Sequence, residues 1–319
     1  MEPIEIDFGR HNPGVDPGLH IWGWEIPVYL FLGGLVAGLM VVTALGELRY
    51  GRPRSAVLRG APFLALGLLS LGMGALFLDL GHKLYVWRFY LAFKPTSPMS
   101  WGSWILLLVY PVGILHGLGS LSEERRAWVA RKVGRFGAAF EHVAAFADRV
   151  RVPVLGASVV LGASLGVYTG LLLGTAPARL LWNSAVLGPL FLVSGLSTGT
   201  ALLLLFPLHA TERHQLSRFD VGVIIAELAV LGLYLLGLST GGTPQRAAAA
   251  TLLGGAWTAP FWSLVVLLGL VTPLAMAAIE HRLDRPFSRL APALVLLGGY
   301  SLRAMLVAAG QDVSFAMLP

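Results

Sequence analysis

The feature that most constrains this chain is the recurrence of apolar stretches about twenty residues long, the length an α-helix needs to cross the hydrocarbon core of a bilayer. Eight are found: Ile26–Leu48, Ala61–Leu80, Trp104–Leu121, Pro153–Gly174, Ser184–Pro207, Val221–Leu238, Trp257–Ile279 and Leu290–Ala309. A helix pairs its own backbone N–H and C=O groups, which is what a lipid solvent demands. Of the 319 residues 56% are hydrophobic and 13% charged, and the mean hydropathy is +0.73, far from the balance of a soluble domain. The expectation is an all-α integral membrane protein of about eight transmembrane helices. Residues 1–25 form an outer segment, 26–309 a single transmembrane domain and 310–319 an outer tail. The polar start, MEPIEIDFGRHNPGVDPGLHIWGWE, lacks the basic-then-apolar order of a secretory signal, so the first apolar stretch is expected to be retained as a helix.

Loop charge gives the expected orientation, because Lys and Arg close to helix ends favour the cytoplasm. The loops after the first, third, fifth and seventh stretches carry about sixteen of the 23 basic residues, and the opposite face roughly six. Both termini are therefore expected on the outer, periplasmic side of a bacterial inner membrane. The net charge of +6 belongs to these loops, and no nucleic-acid partner is expected. The long inner loop Ser122–Val152 spaces its apolar residues as an amphipathic helix with basic flanks, expected to lie along the membrane lipids. The outer loop Gly81–Ser103 is rich in aromatics and proline and is expected to pack on a soluble partner. Gly34 and Gly38 in the first stretch, and Ser194, Gly195, Ser197, Thr198 and Gly199 in the fifth, have the small-residue spacing of close helix packing.

Ionisable groups at membrane depth are costly and so are functional candidates. Glu25 and Tyr29 share a face at the outer start of the first helix; Asp79 and His82 lie at the outer end of the second. Tyr168 lies near the outer end of the fourth, and Trp182 and Asn183 at the outer start of the fifth. Carboxylate, imidazole, phenol and amide groups thus reach one depth. A quinone needs this set: an apolar slot, and hydrogen-bond partners for two carbonyl oxygens that can also pass protons. Deeper lie Glu227 and Arg303, either a buried ion pair that fixes packing or part of a proton path to the cytoplasm. Glu47 and Arg49 are expected to be solvated. Haem would need facing axial histidines; only His116 lies within a helix, with His209 as a conceivable partner, and no haem is expected. With no cysteine in the sequence, no iron–sulfur cluster can be ligated through thiolates.

Four stretches, WGWEIPVYLFLGGLVAG (Trp22–Gly38), FLDLGH (Phe77–His82), FYLAFKPTSPMSWGSW (Phe89–Trp104) and LWNSAVLGPLFLVSGLSTGTALL (Leu181–Leu203), resemble in order and spacing the polysulfide-reductase membrane subunits, the NrfD/PsrC family. The resemblance covers nearly the whole chain. It implies a quinone-reactive membrane subunit of a respiratory oxidoreductase complex, not catalytic alone, that exchanges electrons with menaquinone or ubiquinone near the outer face. An iron–sulfur subunit with four ferredoxin-like clusters would dock there and lead to a larger catalytic subunit, often a molybdopterin enzyme. Some members bind quinone through an Asn and a His four residues apart at the start of the first helix, where this chain has Glu25 and Tyr29. Tyr168 matches a quinone-binding Tyr of the fourth helix. Asp79 and His82 match an acidic motif suited to proton transfer, and proton transfer across the membrane is an added expectation. Two rivals stand beside this: a secondary transporter, which would show inverted repeats, and a purely structural membrane anchor.

Overall fold

Glycines on the first long helix set the arrangement of the bundle. A Cβ at Gly38 would lie 1.9 Å from the Gly195 carbonyl oxygen, and one at Gly195 2.5 Å from that of Gly34, so the two backbones touch where side chains would hold them apart. The small-residue spacing therefore does what it was expected to do. In the computed structural model, which describes residues 22–91, 93–176, 179–283 and 289–312, with the side chains of 281–283 left aside, the described residues are all-helical. The expected segments 1–25 and 310–319 fall largely outside them.

Among the described residues eight helices are long and apolar enough to cross a membrane. They are α1 (Glu25–Tyr50), α2 (Ala56–Asp79), α3 (Pro98–Ser120), α6 (Arg151–Gly174), α7 (Leu187–Leu204), α8 (Ala210–Thr240), α10 (Thr258–Glu280) and α11 (Leu290–Asp312). Shorter helices are α4 (Glu123–Lys132), α5 (Gly137–Arg149) and α9 (Thr243–Leu253). The central element is α1, which packs on α2, α6, α7 and α11 and has 78% of its apolar window buried, against 28% for α10. Within α10 the turns of Phe261–Val271 widen to π-type winding, and there Gly269 meets Gly298 of α11 backbone to backbone. The 31 residues of α8 begin eleven positions before the expected apolar stretch; at 1.5 Å per residue the helix is about 46 Å long, longer than the hydrocarbon core.

Each end of the bundle is tied by its own polar contacts. At the end where α1 starts, Gln311 of α11 accepts from the Trp22 N–H (2.8 Å) and donates to the Trp22 carbonyl (3.1 Å). There too Tyr234 of α8 donates to the Leu181 carbonyl at 2.6 Å, and Trp257 to Asp312 at 2.9 Å. The chain's first and last described residues therefore share one end. At the opposite, basic end, Glu212 of α8 accepts from the N–H groups of Arg54 (2.6 Å) and Ser55 (3.1 Å), which supplies the acceptor that the N-terminus of α2 lacks in itself.

The segment after α3 departs from expectation. Instead of one amphipathic helix it forms α4 and α5, broken at Gly134, whose φ of +58° only glycine adopts without strain. Arg126 of α4 donates to Asp148 of α5 and to the Leu118 carbonyl (2.9 Å), closing the pair of helices onto the end of α3. The hydrogen bonds from Arg126 hold the Asp148 carboxyl below the usual carboxylate range.

Candidate functional site

One turn into α1, the face that carries Glu25 also carries Tyr29, which burial leaves 2% exposed. Tyr29 lies against Gly72 of α2, where an added Cβ would be 3.9 Å from its Cδ2, and has Tyr168 and Tyr90 as its electrostatic neighbours. Tyr168 comes from α6 and reaches across to α3. A Cβ at Gly102 would fall 2.0 Å from Tyr168 Cζ and 2.1 Å from its hydroxyl, so the phenol occupies the room that glycine leaves. Neither hydroxyl makes a hydrogen bond to another described residue, although both rings are buried. Asp79, at the last turn of α2 and half-buried, has Glu25 as its charged neighbour. Two phenols and two carboxylates from α1, α2 and α6 thus converge at the end where α1 starts.

Sequence reasoning missed two aromatic groups at this end. Tyr90, in the short helix Arg88–Leu91, is brought toward Tyr29; burial and the neighbouring Tyr110 push its phenol up. Trp104, two residues beyond Gly102 on α3, has a buried Nε1–H with no partner, and Phe93 packs edge-on to it at 5.6 Å. The signal was present in the aromatic loop Phe89–Trp104, but composition alone cannot say which rings turn inward.

The remaining candidates are placed differently. His82 is exposed, its ring 6.5 Å from that of Tyr85, and Asn183 is exposed as well. Trp182 is buried, stacked on Trp22 at 4.9 Å, with its indole N–H donated to the Leu306 carbonyl at 2.7 Å. Its one donor is engaged in holding α11.

Glu227 and Arg303 belong to a separate polar layer between α7, α8 and α11. Arg303 is fully buried, donates to the Gly299 carbonyl (2.8 Å), Ser194 Oγ (3.1 Å) and the Phe191 carbonyl (3.1 Å), and lies over the Phe191 ring. Glu227 interacts with it electrostatically, yet among the described residues no carboxylate comes within 4.0 Å of the guanidinium, so the expected contact ion pair does not form. Serine and carbonyl oxygens take that place because α7 packs closely enough to present them. Two turns along α8 from Glu227, Asp220 is buried too, with Oδ1 lacking a partner, as do Ser197 Oγ and Arg303 Nε. Buried polar atoms left in this state are the sort that ordered water bridges.

Glu47 corrects another expectation: it is 4% exposed rather than solvated, because α3 and α6 close over the last turns of α1. It accepts from Ser120 and from Arg151 Nη2 (2.8 Å), and His116 Nε2 stands 3.6 Å from its Oε1. His116 meets Ser158 at 3.2 Å through Nδ1, whereas His209 is exposed, its backbone N–H donated to Ser55; the two do not face each other as axial haem ligands would. Among the described residues no group of three His, Asp or Glu side chains gathers to hold a metal.

A model of the family described as "Polysulphide reductase, NrfD" matches residues 12–315. The chain is 30% identical over 303 residues to Protein NrfD of Escherichia coli strain K12, covering 91% of this chain and 95% of that protein. It is 28% identical over 315 residues to Protein NrfD homolog of Haemophilus influenzae, covering 94% and 96%. With a polysulfide reductase subunit of Wolinella succinogenes the identity is 29% over 305 residues, covering 91% and 94%.

Proposed function

The chain belongs to the polysulphide reductase NrfD family, and on that premise we propose that it is the quinone-reactive membrane subunit of a respiratory oxidoreductase complex. The observation that carries this is the buried phenol couple Tyr29–Tyr168 with Glu25 and Asp79 beside it. Two buried hydroxyls to which no described residue hydrogen-bonds, where α1, α3 and α6 come together, fit a ring with two oxygens, and neighbouring carboxylates fit the protons that accompany its redox change. A bound quinol supplies two electrons and two protons. Tyr29 and Tyr168 orient the oxygens by hydrogen bonds, Gly102 leaves the space that sets the angle of Tyr168, and Glu25 and Asp79 hand protons to the water at that end. The same residues serve the reverse direction, quinone reduction.

The basic loops at the opposite end support placing the α1-start end on the outer face of a bacterial inner membrane. An iron–sulfur subunit would dock on that outer face, where Trp87, Leu91, Phe93 and Trp101 stand half or more exposed and Tyr85 nearly so. A larger catalytic subunit would then lie beyond the clusters. The layer of Arg303, Glu227, Ser197 and Asp220 supports proton transfer between that site and the basic end.

The test is quinol-dependent turnover of the intact complex. Tyr29→Phe and Tyr168→Phe are each expected to lower it at least tenfold with assembly unchanged, in line with the ~10²–10⁴-fold worth of positioned proton-transfer groups. Turnover equal to the parent in the double variant would overturn the assignment.

A further inference from the structure

The apolar residues of α5 form two parallel stripes, and the fold uses only one. Gly137, Phe140, Ala144 and Ala147 are buried or half-buried against α3 and α4, in helical i, i+3, i+7, i+10 spacing. Phe136, Ala139, Val143 and Phe146 repeat that spacing one position earlier and are exposed, Phe136 at 56% and Phe146 at 53%. Trp128 and Val133 extend this bare apolar surface onto α4 and the turn. Cations sit over two of its rings: Lys132 Nζ is 4.7 Å from the Trp128 centroid and the Arg135 guanidinium 4.8 Å from that of Phe136. Arg125 and Arg131 are exposed one turn to either side of Trp128, whereas Arg126 is engaged by Asp148.

We propose that α4 and α5 form an anionic-lipid-binding surface, with the bare stripe sunk among acyl chains and the basic residues on lipid headgroups. Continuity argues for lipid as the occupant. Helix α3 ends at Ser120 and α4 begins at Glu123, while α5 ends at Arg149 and α6 begins at Arg151. Both ends of the pair are therefore fixed within a residue or two of membrane-spanning helices. Charge argues for the anionic class: aromatic rings paired with Lys and Arg suit the boundary between hydrocarbon and negatively charged headgroups. The half of α5 that faces away from both stripes, with Glu141, His142 and Ala145, is left to water.

The absence of cysteine makes every introduced cysteine a unique labelling site. Spin labels at Val143→Cys and Phe146→Cys in the full chain, held in phosphatidylglycerol nanodiscs, are expected to collide with oxygen and not with a water-soluble nickel chelate; Ala138→Cys and Ala145→Cys should show the reverse. Nickel collisions at Val143→Cys and Phe146→Cys, or shielding of both from either reagent as a covering protein would produce, overturns the proposal. Replacing Arg131, Lys132 and Arg135 together by Gln should cut the enrichment of phosphatidylglycerol over phosphatidylcholine retained by the purified protein at least fivefold, with unchanged helicity. Equal retention of the two lipids by the parent protein overturns the anionic preference.

Discussion

A single methyl group probes the phenol site most cleanly. Gly102→Ala would put a carbon 2.0 Å from Tyr168 Cζ, and because the ring is packed in α6 and 7% exposed, it must turn rather than give way slightly. Overpacking of this kind costs about 1–3 kcal/mol. The expected outcome is a lower melting temperature together with loss of quinol turnover, while Gly74→Ala, whose added carbon meets nothing within 4 Å, changes neither. Asp148 offers a second residue-level test. Its carboxyl is held low by Arg126, so its contribution is fully present above the unfolded value, about 3.9, and is lost as pH falls through the folded value. The side chain is 30% exposed, which limits the contribution to under about 1 kcal/mol. The gap in melting temperature between the parent and Asp148→Asn should hold steady from pH 7 to about 5 and close below about 4.

Among the elements, α1 is the one whose neighbours leave least room. A Cβ at Gly38 would meet backbone, the Gly195 carbonyl at 1.9 Å, and backbone cannot swing aside as a side-chain tip can. Gly38→Ala is expected to cost about 3 kcal/mol, the upper part of the overpacking range, and to separate α1 from α7; disulfide trapping of cysteines placed on the two helices would register the separation. The C-terminal end of α1 is held differently, by Glu47 bridging Ser120 of α3 and Arg151 of α6. Glu47→Ala leaves Arg151 without its carboxylate, but that side chain is 23% exposed and can turn to water. The loss should therefore be about 2 kcal/mol, less than the ~3–5 of a wholly buried pair, read as earlier thermal unfolding in detergent.

For the whole molecule, three polar sites stand at different depths: the phenol site where α1 starts, the Arg303 layer within the bundle, and Glu47 at the basic end. If the layer carries protons, Asp220→Asn and Glu227→Gln in proteoliposomes should lower protons moved per electron at least tenfold. An unchanged ratio would make the layer structural. Membrane class and helix number follow from the sequence, because apolar run length is a local property that the bilayer itself reads, and the family follows from the order and spacing of four stretches along it. The small residues of α1 and α7 are likewise legible as close-packing positions, although that the two helices meet each other is decided by the tertiary structure. Tertiary structure decided which polar residues are neighbours. Tyr29 and Tyr168 are 139 positions apart in the sequence and meet only because α1 and α6 pack together. Trp182 points at α11, and Glu47 is buried because α3 and α6 close over it. Helix periodicity assigns a residue to a face; which neighbour that face meets depends on how all the helices pack at once.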